Sequence, residues 1–149
     1  MKEMKFSLEI NAFKETVWDT LWSDVTFRDW AGIIDPGTYM VGELKEGNEI
    51  QFISSENGYG VTSLVETLVL HEFLLLKHQA DTQNSGSRER AKEWTGGEES
   101  YLLQESDGVT TLSVKFDIPR EMLEYFEEAY PRAFGRVKEL AEGVKVQGL

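Results

Sequence analysis

The last part of this 149-residue chain limits its fold more than any other stretch. Apolar side chains recur there as Met122, Phe126, Tyr130, Phe134, Val137 and Leu140/Ala141, the three-to-four spacing of one helical face. Such a stripe must be buried against another element. Upstream, residues 38–117 alternate like strands and are punctuated by Asn57-Gly58 and Asp107-Gly108, dipeptides suited to tight hairpin turns. The two halves together predict an α+β protein in which a twisted antiparallel sheet wraps around a long C-terminal helix. Large aromatics on the stripe predict that the enclosed volume is a pocket.

The remaining elements follow from period and turn chemistry. Phe6, Leu8 and Ile10 alternate with Lys5, Ser7 and Glu9 as a half-buried first strand. Val17, Trp18, Leu21 and Trp22 then sit at helical spacing. Ser23 or Asp24 offers an oxygen to cap a second short helix carrying Phe27, Trp30 and Ala31. Asp35-Pro36-Gly37 is a turn. Strands are expected at 38–44, 48–55, 59–70, 73–80, 93–105 and 109–117. If Asp107 and Gly108 form a two-residue turn, then Ser106 faces Val109, Leu103 faces Leu112, Tyr101 faces Val114 and Glu99 faces Phe116. That register puts Glu99, Tyr101 and Leu103 on the inner face. Residues 81–92 have no period and read as a loop, and Gly96-Gly97 suggests a bulge or a close backbone approach. The closing helix is expected over Met122–Glu142, kinked near Pro131 and ended by Gly143.

Composition excludes several classes. The length suits one domain over residues 1–149 with a single core. The chain has no cysteine, which removes disulfide frameworks, thiolate metal sites and cysteine nucleophiles. Fifteen basic residues against 27 acidic ones give a net charge of -12, which disfavours nucleic acid and anionic membrane surfaces. No apolar run reaches the roughly 20 residues of a membrane span, and the start lacks the apolar core of a signal peptide. The expected location is cytoplasmic.

Chemistry-bearing residues are few. His71 is expected in an exposed turn, whereas His78 alternates with Leu74, Leu76 and Ala80 and faces inward. Neighbouring strand residues point to opposite faces, so Glu98 and Glu99 cannot cooperate; only Glu99 falls inside. Glu99 and His78 are thus the two weak catalytic candidates, with no nucleophile motif beside them. No metal-ligand spacing occurs and no cofactor is expected. Gly58-Tyr59-Gly60 lacks the third glycine of a dinucleotide loop and precedes a strand. Aromatics carry the stronger signal: Trp30, Tyr39, Phe52, Trp94, Tyr101, Phe126, Tyr130 and Phe134 are the expected cavity residues, since such rings supply shape and stacking together.

Particular stretches resemble a known family. Glu15-Thr16-Val17-Trp18-Asp19-Thr20-Leu21, Thr26-Phe27-Arg28-Asp29-Trp30, Glu93-Trp94-Thr95-Gly96-Gly97 and the segment from Tyr125-Phe126 to Pro131-Arg132-Ala133 look like the helix-grip fold of the START / Bet v 1-like (SRPBCC) superfamily. They are most similar to the bacterial branch related to the C-terminal domain of the activator of the Hsp90 ATPase. The resemblance spans about residues 4–142 and implies a hydrophobic cavity between the sheet and the last helix. It supplies no invariant catalytic set. The eukaryotic activator has a separate N-terminal domain that makes much of its chaperone contact, and this sequence opens directly on the grip domain.

Three functions compete. The first is a non-catalytic binding protein for a small apolar or aromatic molecule. The second is a protein-interaction domain whose partner is a chaperone. The third is a cyclase-, dehydratase- or hydrolase-like enzyme that uses the cavity. A closed cavity of Tyr and Trp without paired titratable groups favours binding, and an exposed apolar patch favours a protein partner. Glu99 and His78 converging on one cavity would favour an enzyme.

Overall fold

A computed structural model describes residues 1–82 and 95–144. Strand β1 (Lys2–Ile10) leads into helices α1 (Lys14–Trp22) and α2 (Asp24–Ile34). Six strands follow: β2 (Thr38–Val41), β3 (Glu49–Ser54), β4 (Gly60–Val69), β5 (Phe73–Thr82), β6 (Glu98–Ser106) and β7 (Val109–Ile118). A 3-10 turn at Arg120–Met122 precedes α3 (Leu123–Ala141). The strands form one antiparallel sheet in the order β1-β7-β6-β5-β4-β3-β2, curled into a half-barrel. Consecutive strands β1 and β2 therefore occupy opposite edges, and α1 with α2 carry the chain from one edge to the other. The long helix packs against α1, α2 and β1.

The β6–β7 hairpin has the predicted register, from Glu99 opposite Phe116 to Ser106 opposite Val109. Its two loop residues both have positive φ, Asp107 at 51° and Gly108 at 78°, the backbone of a type I′ turn. Tyr101 and Leu103 are buried beside Leu112, Val114 and Phe116, while Glu98 and Leu102 point outward. On α3 the predicted stripe is inward: Phe126, Tyr130, Phe134 and Val137 are buried. Glu124, Glu128, Arg132 and Glu139 are exposed. The helix continues through Pro131 as one element. Gly143, at φ 113°, ends it with bonds from Gly143 N–H to the Leu140 carbonyl and from Val144 N–H to the Glu139 carbonyl. That is the Schellman pattern, in which a left-handed residue satisfies the last carbonyls.

Several expectations are corrected. Asn57-Gly58 is not a two-residue turn: Ile53 pairs with Gly60, so the loop is longer. In it only Gly58 is left-handed, and the Asn57 side chain accepts the Tyr59 N–H at 2.8 Å. Ser23 stands at the start of α2 but makes no side-chain cap; instead Thr26 Oγ1 lies within hydrogen-bonding distance of both the Asp19 and Ser23 carbonyls. Strand β2 ends at Val41 because Gly42 turns to φ 105°. Thr95–Gly97 precede β6 rather than lying within it; Gly96 and Gly97 exchange backbone bonds with His78 (both 2.9 Å) and so extend the β5 pairing. Residues 83–94, which hold most of the expected loop and Trp94, lie outside the described residues.

One core joins both sides of the sheet's concavity. Phe134 is fully buried and its ring neighbours Phe6, Trp30, Tyr101, Phe116 and Tyr130 at 5.5–6.4 Å. A bidentate ion pair ties α3 to α2, with Arg136 Nε and Nη2 donating to Asp29 at 2.9 and 3.0 Å. Paired, fork-to-fork bonds of this kind fix orientation as well as adding energy.

Candidate functional site: an aromatic cavity between sheet and helix

At one end of the concavity the core stops short and leaves a cavity of about 510 Å³, within the roughly 300–1,000 Å³ usual for small-molecule sites. Helix α2 supplies Phe27, Trp30, Ala31 and Ile34, residues one helical face apart. The β3–β4 hairpin supplies Phe52, Ser54, Tyr59, Gly60 and Val61. The start of α3 and the turn before it supply Met122, Tyr125, Phe126 and Tyr130. Strands β5 and β6 close the floor with His78, Glu99 and Tyr101.

The walls are held by their own contacts. Trp30 Nε1–H donates to the Leu21 carbonyl at 3.0 Å, which locks the indole that lines the cavity. Tyr130 stacks between Phe116 at 4.0 Å and Phe126 at 5.0 Å. At the mouth the Tyr125 hydroxyl donates to the Ile34 carbonyl, strapping the beginning of α3 to the end of α2. Tyr59 and Tyr125 are each about half exposed, so the opening lies between the β3–β4 loop and this strap.

The floor carries the polar groups. Tyr101 donates its hydroxyl to Glu99 Oε2 at 2.5 Å. Burial, assisted by the Glu99 charge, raises the Tyr101 and Tyr130 phenols well above the usual tyrosine value, so both stay protonated. His78 Nδ1 lies 2.7 Å from Ser63 Oγ. Burial lowers its pKa, against the opposing pull of Glu99, Asp81 and Asp117, so the ring is neutral near pH 7. Ser63 is fully buried and does not line the cavity; it orients the imidazole from behind and cannot attack a ligand. Among the described residues, the titratable cavity groups besides His78 and the phenols are the carboxyls of Asp35, Glu99 and Glu121. Among the described residues no lysine or arginine lines it, and no cluster of His, Asp and Glu could hold a metal.

Of the residues expected from sequence, Trp30, Phe52, Tyr101, Phe126 and Tyr130 line the cavity, and Glu99 and His78 converge on it. Two do not line it. Phe134 is packed in the solid core one turn further along α3, and Tyr39 lies outside under the Arg28 guanidinium at 5.2 Å. Trp94 lies outside the described residues. His71 takes its turn position with φ 66°, but it is half-buried, with Trp18 edge-on at 6.2 Å. Phe27 and Ile34 were legible as the helical face of Trp30. Tyr59 belongs to the aromatics whose abundance in the sequence suggests a cavity, but only chain closure brings it and Tyr125 to the mouth.

Known structures share this architecture. A Mesorhizobium loti protein, MLL2253, superposes with a TM-score of 0.75 at 11% identity, covering 97% of this chain and 99% of that one. The Aha1 dimer from Colwellia psychrerythraea gives 0.72 at 16% identity, with 96% and 98% covered. This is the helix-grip fold, an antiparallel sheet curled into a half-barrel around a long C-terminal helix. Another helix-grip protein, DynU16 of the dynemicin biosynthetic locus, gives 0.73 at 13% identity; the match covers 98% of this chain and 49% of that one. No protein-family model and no curated protein matches the sequence. At these identities the likeness establishes the helix-grip fold and nothing finer. No helix among the described residues is long and apolar enough to cross a membrane.

Proposed function

We propose that this helix-grip protein is a cytoplasmic binding protein for a small, largely aromatic molecule held between the sheet and α3. The observation that carries this reading is the aromatic cavity itself. Its volume of about 510 Å³ suits a ligand of two or three fused rings, and the rings of Trp30, Phe52 and Phe126 line it. Burying apolar ligand surface is worth roughly 25 cal/mol per Å², enough for binding without a charged anchor. Native mass spectrometry of protein purified from its own host tests the reading: a retained small molecule is expected. Trp30 offers a second readout, since a ring seated on its face should change its emission and Trp30→Phe should abolish that change. Absence of both signals with polycyclic aromatics and flavonoids would sink the proposal.

An enzymatic reading is favoured by one specific observation, the presence of Glu99 and His78 on the same cavity floor. A neutral imidazole can accept a proton and a carboxyl can relay one. Against it stand the engagement of the lining Ser54 and Thr38 hydroxyls by the Pro36 and Asp35 carbonyls and that of Glu99 by Tyr101. Chemical change of a bound ligand that is lost in His78→Ala would promote it. A chaperone-partner role rests only on the likeness to the Aha1 dimer, which is a likeness of fold.

A further inference from the structure

Strand β1 leaves one long edge of the sheet without a neighbouring strand among the described residues. In a two-residue hairpin the pair flanking the turn exchanges backbone bonds. Ser106 and Val109 are that pair, so alternate residues of β7 from Val109 onward bond to β6. The residues between them, Thr110 to Ile118, bond to Lys2, Met4, Phe6, Leu8 and Ile10 of β1 in an unbroken register. The main-chain groups of Glu3, Lys5, Ser7 and Glu9 therefore point away from the sheet. Among the described residues, the one bond to this outer row comes from Lys138 Nζ, which donates to the Glu9 carbonyl at 3.1 Å. Glu3, Lys5 and Ser7 keep both N–H and C=O open.

An edge of this kind is a template for a further strand, and proteins blunt such edges with proline, bulges, very short strands or charge. β1 is nine residues long, with no proline and no bulge against β7. Charge is the remaining device, and here it selects a register. Glu3 and Lys5 are both exposed on the outer face and lie 3.6 Å apart. If two copies of β1 pair antiparallel, only outward-pointing groups can exchange bonds, so odd positions meet odd positions and one residue lies on the two-fold axis. With Glu3 or Lys5 on the axis, that residue meets its own charge. With Phe6 there, Glu3 meets the partner's Glu9. Registers centred on Ser7 or Leu8 need the Glu9 main chain, which Lys138 already engages. With Met4 on the axis, Glu3 faces the partner's Lys5 and Lys5 faces the partner's Glu3, and every group needed is open.

We propose that β1 is an interface between two copies of this chain, joined antiparallel into one continuous sheet with Met4 on the two-fold axis. The backbone bonds of Glu3 and Lys5 zip the strands, and the two crossed charge pairs fix the register. On the inner face Met4, Phe6 and Leu8 are only partly buried against the core. The partner strand covers their open side, with Met4 against the partner's Met4.

Sedimentation velocity of the full chain over a dilution series tests this, in buffer of physiological ionic strength to screen the repulsion between chains of charge -12. A reversible dimer is expected. Lys5→Glu sets like charges opposite each other twice, so it should raise the dissociation constant about tenfold or more. Adding Glu3→Lys to that variant swaps the charges and should restore the dimer. Lys5→Pro removes an outward N–H that the monomer does not use, so the dimer should be lost while circular dichroism shows the fold retained. The chain has no cysteine, so Met4→Cys supplies a single thiol. It faces its own copy in a non-hydrogen-bonded pair, at about 4.5 Å between Cα atoms, and should oxidise to a disulfide-linked dimer, whereas Phe6→Cys should not. A chain that stays monomeric throughout overturns the proposal. So does a dimer that survives both Lys5→Glu and Lys5→Pro unchanged, because it then uses another surface. Cross-linking through Phe6→Cys but not Met4→Cys would move the axis and overturn the charge argument.

Discussion

Phe126 and Phe134 lie two helical turns apart on the same stripe, yet truncating them should have different consequences. Phe134 is fully buried and ringed by five aromatic neighbours, whereas Phe126, at 7% exposure, borders the existing cavity. Phe134→Ala loses the transfer free energy of a buried ring and also opens a new closed void, so the full cost of about 3–5 kcal/mol is expected. Phe126→Ala loses the ring but merely enlarges space already present. Its cost should be nearer the transfer part alone, about 1.5–3 kcal/mol. For a domain of this size the Phe134→Ala loss corresponds to a fall in Tm of about 10 °C. Guanidinium unfolding followed by circular dichroism, with equal slopes as the check on two-state behaviour, measures both. The binding consequences run the other way: Phe126→Ala should change affinity for a bulky aromatic, and Phe134→Ala should not, provided it folds. If Phe126→Ala is the more destabilising of the two, the boundary between core and cavity has been drawn in the wrong place.

Two further outcomes follow from local geometry. A Cβ on Gly60 would stand 1.7 Å from the Phe52 carbonyl oxygen, so Gly60→Ala must spread the β3–β4 hairpin. A loss at the upper end of the roughly 1–3 kcal/mol typical of overpacking is expected, and a neutral result in a thermal melt would contradict the close approach. The second outcome concerns acid. Because burial holds His78 below its ordinary value of 6.5, the unfolded chain binds a proton that the folded chain excludes. Stability should therefore fall as pH drops below about 6.5 toward the depressed value, and be restored above it. Replacing the imidazole in His78→Gln should flatten that slope in urea titrations between pH 5 and 8; identical slopes for variant and parent would refute the buried, neutral assignment.

Much of this molecule is set by local sequence. The α3 stripe, the β1 alternation and the Asp107-Gly108 turn each obey a short-range rule, a period of 3.6 or 2 or a left-handed dipeptide. The register of β6 on β7 follows from that turn alone, and it places Glu99 and Tyr101 on the inner face. The Asn57-Gly58 loop shows the limit of the rule. The same kind of dipeptide sits in a longer connection there, because the pairing of Ile53 with Gly60 is decided by the sheet and not by the two turn residues. Which part of the stripe faces space and which faces solid core was likewise not local: Phe126 and Phe134 occupy equivalent helical positions and differ only in what lies opposite. Tyr130 and Glu99 are remote in sequence and line one cavity only because the sheet curls across the helix. The strap from Tyr125 to Ile34, which bounds the cavity mouth, joins residues 91 apart in the chain. Periodicity reports the environment of a residue relative to its own element. A cavity is a relation between elements, so only the packed chain decides its walls and its mouth.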